Sequence, residues 1–188
     1  MLQRLSKRGA GELLQAQPGS GVFSGYASLF NRRDQAGDVV MPGAFAASLK
    51  KRGAENIRML FQHDPSEPVG TWLEIKETTR GLYVQGRLDK NVQRGRELLS
   101  LLENKGLDGL SIGFKTVAAT RDINRKARLL TEIDLWEISL VTFPMLDGAR
   151  VNAVKSRARI TAESYFKSSP TPFAGRDNSS TRSTLKHG

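Results

Sequence analysis

Three polar residues interrupt apolar or strand-like segments of this sequence: His63, Ser111 and Glu137. A buried polar group costs about 1–3 kcal/mol when it has no partner, so each of the three needs one, and each could partner another. An imidazole between a hydroxyl and a carboxylate activates serine as a nucleophile, because the imidazole takes the hydroxyl proton and the carboxylate orients the imidazole. The residue types therefore indicate a catalytic triad, but nothing in their spacing joins them.

Each of these residues also has a structural interpretation. His63 can be a histidine with a purely structural hydrogen bond, Ser111 a small residue in a glycine-rich strand, and Glu137 an ion-pair partner of one of many arginines. Gly109 and Gly113 flank Ser111, and their small size would let a substrate carbonyl come close to the backbone. Both interpretations stay open until a fold places the three side chains.

The rarity of cysteine and histidine limits the available chemistry. The 188 residues include no cysteine and two histidines, His63 and His187. The lack of cysteine excludes thiol nucleophiles, disulfides and cysteine zinc sites, and it is typical of an intracellular protein. His187 lies in a weakly apolar C-terminal segment, so an HExxH metal site is excluded and an imidazole mechanism must use His63. We expect neither a metal nor an organic cofactor.

The apolar segments and the charge limit the possible partners. No segment approaches the ~18 apolar residues of a membrane helix, and no apolar run follows the basic residues near the N-terminus, so we expect a soluble, unexported protein with no membrane partner. The net charge of +10 indicates either a solvated basic surface or a patch for an acidic partner. Aromatic residues make up 7% of the chain and do not alternate with Lys and Arg, so nucleic acid is not expected as a specific ligand.

The distribution of apolar residues predicts one folded region, residues 21–155, between a mobile arm at 1–20 and a mostly disordered, basic, Ser/Thr-rich tail at 156–188. Strands are predicted at 21–30, 56–62, 69–77, 81–88, 107–118 and 127–143, and helices at 44–51, 93–105 and within 147–167, with a loop over 31–42. Many strands with short antiparallel connections favour an α+β fold that is mainly antiparallel β. We expect a β-barrel or curled sheet flanked by two or three helices.

Alternation along the strands predicts where the candidate residues point. His63 follows the parity of Ile57 and is placed at the inward end of its strand, just before a turn at Asp64-Pro65. Ser111 faces away from the apolar row of its own strand. Gly106 is predicted as the C′ residue that ends the second helix. On the last long strand, one face is predicted to hold Leu135, Glu137, Ser139 and Val141.

The order of several motifs resembles that of the tailed-phage prohead maturation proteases. The first half of the match consists of Gly25-Tyr26-Ala27-Ser28-Leu29-Phe30-Asn31, Asp38-Val39-Val40-Met41-Pro42-Gly43-Ala44-Phe45, His63-Asp64 and Pro68-Val69-Gly70. The second half consists of Gly81-Leu82-Tyr83-Val84, Gly109-Leu110-Ser111-Ile112-Gly113-Phe114 and Glu137-Ile138-Ser139-Leu140-Val141-Thr142-Phe143-Pro144. Together these motifs extend over residues 21–154.

This resemblance implies a serine endopeptidase with a fold similar to the herpesvirus assemblins, a β-barrel surrounded by helices. His63 and Ser111 match the family's motifs as base and nucleophile. The third member of the assemblin triad is a second histidine on a later strand. This chain has no such histidine, so Glu137 is inferred in its place. Asp134 is the alternative, with a parity that points the other way, and Arg150 is not assigned a catalytic role.

The resemblance also implies the substrates. They are the scaffold, or a scaffold-like N-terminal extension of the major capsid protein, cleaved inside the assembling procapsid in the host cytoplasm. The chain itself is expected to be a substrate within residues 156–188, and a homo-oligomer is left open. The alternative function is a non-enzymatic basic virion module that binds DNA or scaffold, and its support is the net charge of +10.

Overall fold

The computed structural model describes residues 20–124 and 126–155, so residues 1–19 of the predicted arm and the whole predicted tail lie outside the described residues. The described residues form eight strands: β1 Val22–Leu29, β2 Asp38–Val40, β3 Arg58–Phe61, β4 Asp64–Glu77, β5 Gly81–Leu88, β6 Gly109–Asp122, β7 Ala127–Val141 and β8 Val151–Val154. Helix α1 spans Ala46–Arg52, helix α2 spans Gln93–Glu103, and a 3₁₀ turn spans Ala54–Asn56. In this part of the chain, no helix has the length and apolar character needed to cross a membrane.

The strands form one curled sheet in the order β6-β7-β3-β4-β5-β1-β8, and β2 lies beside the N-terminal half of β7. Neighbouring strands are antiparallel except that β2 and β3 run parallel to β7. The end strands β6 and β8 meet at a bridge between Gly109 and Arg150, where the Leu110 N–H donates to the Ala149 carbonyl at 2.9 Å. This bridge joins the two ends of the sheet. The predicted fold, a mainly antiparallel barrel flanked by helices, is confirmed.

Apolar side chains from the strands and both helical segments fill the core. The largest fully buried side chains are Phe23, Phe45, Met59, Leu82, Leu88, Leu98, Leu110, Leu130, Ile133, Leu135, Ile138 and Leu140. Full burial of one such side chain stabilises the fold by about 1.5–3 kcal/mol. The core therefore gives the candidate residues on β6 and β7 a rigid support.

The C′ residue of helix α2 lies one position earlier than the sequence suggested. Lys105, with φ of 59°, is the left-handed C′ residue, and its N–H donates to the Leu102 carbonyl at 3.3 Å. The Gly106 N–H donates to the Leu101 carbonyl at 2.8 Å. These two bonds form a Schellman motif with Gly106 at C″, so the prediction that placed Gly106 at C′ is wrong.

Two other segments differ from their predictions. The predicted loop at 31–42 contains β2, because Val39 and Val40 are buried and pair with β7. The helix predicted within 147–167 is wrong for residues 151–154, which form β8 and pair with β1. Both strands are too short to show an alternation of their own, so tertiary pairing decides their structure.

An extra residue in β7 reverses the alternation of its side chains. Gly113 of β6 pairs with Glu137 of β7 and Phe114 pairs with Leu135, which leaves Trp136 as a bulge. Leu135 is fully buried in the core, and beyond the bulge the core positions continue at Ile138 and Leu140. The prediction that Leu135 shares a face with Glu137 is therefore wrong. Asp134, for the same reason, points to the same side of the sheet as Glu137, contrary to the predicted parity.

Candidate active site

His63 lies in a tight turn that joins β3 to β4. Phe61 pairs with Asp64, so the turn consists of Gln62 and His63, both left-handed, with φ of 54° and 61°. Two positive φ values are typical of a type I′ hairpin turn, for which Asn and Gly are the usual residues. The turn predicted at Asp64-Pro65 is wrong, because both residues belong to β4.

Strand β7 holds this turn in place. A left-handed conformation costs a non-glycine residue roughly 1–2 kcal/mol, so the turn needs compensating contacts. The backbone N–H of Gln62 donates to the Leu140 carbonyl at 3.0 Å, and its side-chain amide donates to Thr142 Oγ1 at 2.8 Å. The N–H of His63 donates to Ser139 Oγ at 3.0 Å. Two hydrogen bonds to β7 and a third to Thr142, the residue that follows it, thus fix the backbone of His63.

The imidazole of His63 contacts the carboxylate of Glu137. Nδ1 of His63 lies 2.6 Å from Oε1 of Glu137. Because an ionised carboxylate only accepts hydrogen bonds, Nδ1 carries the proton, and Nε2 of the neutral ring is left as an acceptor. This is the tautomer that a general base for a serine hydroxyl needs.

The charge of Glu137 alters the titration of His63. The hydrogen bond that His63 donates to Glu137 raises the pKa of His63 above its ordinary value of 6.5. Partial burial of the ring opposes this increase, and the attraction between the two charges adds to it. The His63 side chain is 41% exposed and that of Glu137 is 13% exposed. Solvent can therefore reach the imidazole, while the carboxylate is mostly enclosed.

Two small residues enclose the carboxylate of Glu137. The hydroxyl of Ser139 donates to Oε2 at 2.7 Å. On the neighbouring strand, a Cβ added at Gly113 would lie 1.9 Å from Oε1, so the carboxylate occupies the space that a larger residue would fill. Gly113 therefore makes room for the Glu137 carboxylate. The sequence had instead suggested that a substrate carbonyl would approach the backbone there.

Ser111 lies one strand away on the same face of the sheet. It is directly opposite Ser139 in the antiparallel pair of β6 and β7. Opposite residues point to the same face, and so do alternate residues of one strand, so Ser111, Ser139 and Glu137 share a face. Ser111 is 5% exposed, and within the described ranges no hydrogen bond joins its hydroxyl to His63. The structure thus brings His63 and Glu137 into contact and places Ser111 beside their common neighbour, Ser139.

A cavity of about 150 Å³ adjoins Ser111. It lies between β1 and β6 and is closed by the loops before β2 and after β7. Its apolar lining residues are Ala27, Val40, Leu110, Ile112, Phe114, Met145, Leu146, Ala149 and Ala36, and its polar ones are Ser28, Arg32, Asp34, Asp38 and Ser111. The cavity can receive a small to medium side chain next to the Ser111 hydroxyl.

Asp134 and Arg150, the two other residues considered from the sequence, have different partners. Arg52 donates to both carboxylate oxygens of Asp134, at 2.9 and 2.7 Å, and the Trp136 indole donates at 2.8 Å. The bond from Arg52, with that from Trp136, holds the pKa of Asp134 well below its usual range. Arg150 is paired with the carboxylate of Asp108. The carboxylate of Asp134 therefore binds Arg52 and not His63.

Three residues support the His63–Glu137 pair in ways that the sequence did not predict: Gln62, Gly113 and Ser139. Ser139 carried a signal, because it follows Glu137 by two residues and was predicted on the same face. Gln62 carried none, since a glutamine is an unusual residue in a type I′ turn. Gly113 was noted for its small size, but its contact with Glu137 could not be predicted, because that contact depends on the register of β6 and β7.

A sequence model of the caudovirus prohead serine protease family matches residues 11–164. The chain belongs to this family. Among curated family relatives, the prohead protease of Enterobacteria phage HK97 is 36% identical over 138 residues, which are 72% of this chain and 61% of that protein. The prohead protease of Escherichia phage T5 is 27% identical over 143 residues, which are 76% of this chain and 67% of that protein. The resemblance inferred from the motifs is confirmed.

The fold is also similar to that of a solved phage protease. The structure of the bacteriophage T4 capsid assembly protease aligns with a TM-score of 0.55 at 13% sequence identity. The alignment covers 65% of this chain and 82% of that chain. At this identity the likeness supports the shared fold and carries nothing about individual residues.

Proposed function

We propose that this chain is a serine endopeptidase in which Ser111 is the nucleophile, His63 the general base and acid, and Glu137 the residue that orients His63. The observation that carries this proposal is the contact of 2.6 Å between His63 Nδ1 and Glu137 Oε1. That contact leaves Nε2 as the acceptor, on a ring held beside the face to which Ser111 points. Catalytic hydrogen bonds are often long before substrate binds, so the bond between Ser111 and Nε2 is expected to form in the substrate complex.

The reaction proceeds in two halves. In the first, Ser111 Oγ attacks the scissile carbonyl while Nε2 of His63 takes the hydroxyl proton, and the carboxylate of Glu137 stabilises the resulting imidazolium. The imidazolium then gives this proton to the leaving amine, and the peptide bond breaks to leave an acyl-enzyme ester on Ser111. In the second half, His63 takes a proton from water as the water attacks the ester. The bond between the acyl carbon and Ser111 Oγ then breaks, the imidazolium returns the proton to Ser111, and the product leaves with a new C-terminal carboxylate. These steps balance without a metal or an organic cofactor.

The substrates that we propose are proteins of the assembling capsid. The family description and the printed names of the phage relatives support this class. The scaffold, or a scaffold-like N-terminal extension of the major capsid protein, would be cleaved inside the procapsid in the host cytoplasm. A substrate side chain next to the scissile bond would enter the cavity beside Ser111. A non-enzymatic basic module is less well supported, because the family to which the chain belongs is one of proteases.

Co-expression with the major capsid protein of the same genome tests the proposal. Wild type should shorten the capsid protein at its N-terminal end, and Ser111→Ala should leave it at full length, as read by intact mass. A matched control is Ser48→Ala, because Ser48 is also a buried serine but accepts a bond from the Leu135 N–H instead of lying near His63. Full cleavage by Ser111→Ala would refute the assignment of the nucleophile.

The same samples test self-cleavage within residues 156–188. A tethered segment near an endopeptidase has a high effective concentration, so even a poor site is cut. Wild type should therefore accumulate in a form shortened at its C-terminal end, whereas Ser111→Ala should keep its full mass. Equal trimming of both proteins would assign the cut to host proteases.

A further inference from the structure

The geometry points to Ser139 as a positioning residue that holds both members of the His63–Glu137 pair through one hydroxyl group. This inference rests on the proposed function, in which that pair activates Ser111. Ser139 Oγ donates to Glu137 Oε2 at 2.7 Å and accepts from the His63 N–H at 3.0 Å. Its side chain is fully buried.

The chemistry of the partners determines both hydrogen bonds. A carboxylate oxygen can only accept and a backbone N–H can only donate, so the single hydroxyl proton of Ser139 must point to Glu137. The oxygen lone pairs are then left for His63. The hydroxyl thereby fixes the distance between the carboxylate and the backbone from which the imidazole extends. Loss of the hydroxyl would release both groups at once.

The position of Ser139 in the sheet lets one side chain contact both members of the pair. It lies on the central strand β7, with Leu60 of β3 on one side and Ser111 of β6 on the other. The turn that carries His63 directly follows β3, and it needs support because His63 has a φ of 61°. Ser139 thus lies between the element that carries the base and the strand that carries the nucleophile.

A role for Ser139 as the nucleophile is disfavoured by the same contacts. Its hydroxyl proton is directed to the carboxylate of Glu137, and among the described residues the hydrogen bond of the His63 ring is to Glu137, not to the Ser139 hydroxyl. The side chain has no exposed surface, whereas Ser111 lines a cavity. Ser139 therefore acts through His63 and Glu137.

The variants Ser139→Ala and Ser48→Ala separate positioning from simple loss of a hydrogen bond. Each variant removes one buried hydroxyl group. The Ser48 hydroxyl accepts from the Leu135 N–H of β7 and contacts neither His63 nor Glu137. Thermal unfolding should show a similar loss of stability in both. A misplacement of about 1 Å in a catalytic group can cost about 100-fold in rate, so Ser139→Ala should lower kcat by about 10- to 100-fold with KM within about twofold. Ser48→Ala should leave kcat unchanged.

NMR titration supplies a readout that does not depend on activity. The chain has two histidines, so the ring signals of His63 are easily assigned by comparison with a His187→Ala sample. In Ser139→Ala the pKa of His63 should move from its raised value toward the ordinary 6.5, and in Ser48→Ala it should stay where it is. An unchanged His63 pKa with unchanged kcat in Ser139→Ala, or equal losses in both variants, would overturn the inference.

Hydrogen exchange of the wild type tests the inference even if Ser139→Ala does not fold. The backbone amide of His63 lies in a turn, yet its bond to Ser139 should slow its exchange well below that of a free turn amide. Exchange of this amide at the unprotected rate would contradict the inference. If instead Ser111→Ala proved fully active, the proposed function would fail while the titration and exchange results still measured how Ser139 holds the pair.

Discussion

Replacement of Glu137 by Gln tests the proposed triad at its best-defined contact. In the wild type, Glu137 Oε1 lies 2.6 Å from His63 Nδ1, which keeps the ring proton on Nδ1 and Nε2 free. A glutamine amide can donate to Nδ1 instead, and this stabilises the tautomer with the proton on Nε2. That tautomer cannot accept a proton from Ser111. The substitution therefore changes the state of the base while keeping the size of the side chain.

The expected loss of activity follows from the exposure of the pair. A comparable change of carboxylate to amide in a buried triad lowers kcat by about 10⁴-fold. The His63 side chain is 41% exposed, so water can compete with the substituted amide and preserve part of the active tautomer. We expect a loss of about 10²- to 10⁴-fold, smaller than that caused by removal of Ser111, because the carboxylate orients and stabilises but does not attack.

The pH dependence should change in a definite direction. His63 must be neutral to act as a base, so wild-type activity rises as pH increases through its raised pKa. Because the hydrogen bond to Glu137 is the main cause of that raised pKa, and burial of the ring opposes it, Glu137→Gln should lower the pKa of His63. The acidic limb of the pH profile should therefore move to lower pH, although the plateau of activity is lower.

The assay is the rate at which a fluorophosphonate labels Ser111 as a function of pH, combined with NMR titration of His63. Asp134→Asn is the matched control, because Asp134 lies on the same strand and the same side of the sheet but binds Arg52. It should leave the His63 pKa and the labelling rate unchanged. Normal labelling and an unchanged His63 pKa in Glu137→Gln, with loss of labelling in Asp134→Asn, would show that the wrong carboxylate has been chosen.

The remaining predictions concern the same site. Ser111→Ala and His63→Ala should each lower turnover by about 10⁶-fold, and the double variant should be no worse, because each removes the same activated nucleophile; additive losses would refute the pairing. Gly113→Ala should displace the Glu137 carboxylate and lower the labelling rate with little change in KM, since the new Cβ would lie 1.9 Å from Oε1. The stability from the His63–Glu137 pair should be complete below about pH 6.5 and lost as pH rises through the raised pKa of His63, so unfolding temperatures of wild type and Glu137→Gln should differ more at pH 5.5 than at pH 9.

The sequence predicted His63 as the base because few residues could supply this chemistry, and the resemblance to the prohead proteases led to Glu137 as its partner. With no cysteine and a single histidine in the folded region, an imidazole mechanism had one candidate base. Alternation identified β5 and β6 and the apolar face of α2, since each has several alternating or periodic apolar residues. Residue scarcity and periodicity therefore predicted the base and much of the barrel, whereas the carboxylate was inferred from the resemblance.

The exact position of His63 could not be predicted in the same way. The strand pattern ended at Gln62, and Asp64-Pro65 has the composition of a turn, whereas the actual turn uses two residues that rarely adopt positive φ. Contacts from β7 stabilise this conformation, and the residue that binds the His63 N–H, Ser139, is 76 positions away in sequence. A local pattern contains no information about such contacts.

The bulge at Trp136 explains why the carboxylate faces His63 at all. Along one edge of β7, residues 128–130 pair with β2, Ile133 donates to the carbonyl of Ala44 just before α1, and residues 137–140 pair with β3. The bulge lies where the edge passes from α1 to β3. Without the extra residue, a core position at Leu135 would be followed by another at Glu137, and an ionisable group would be buried among apolar side chains at high cost. One inserted residue thus lets β7 keep Leu135, Ile138 and Leu140 in the core while Glu137 meets the imidazole, and regular alternation cannot specify both requirements at once.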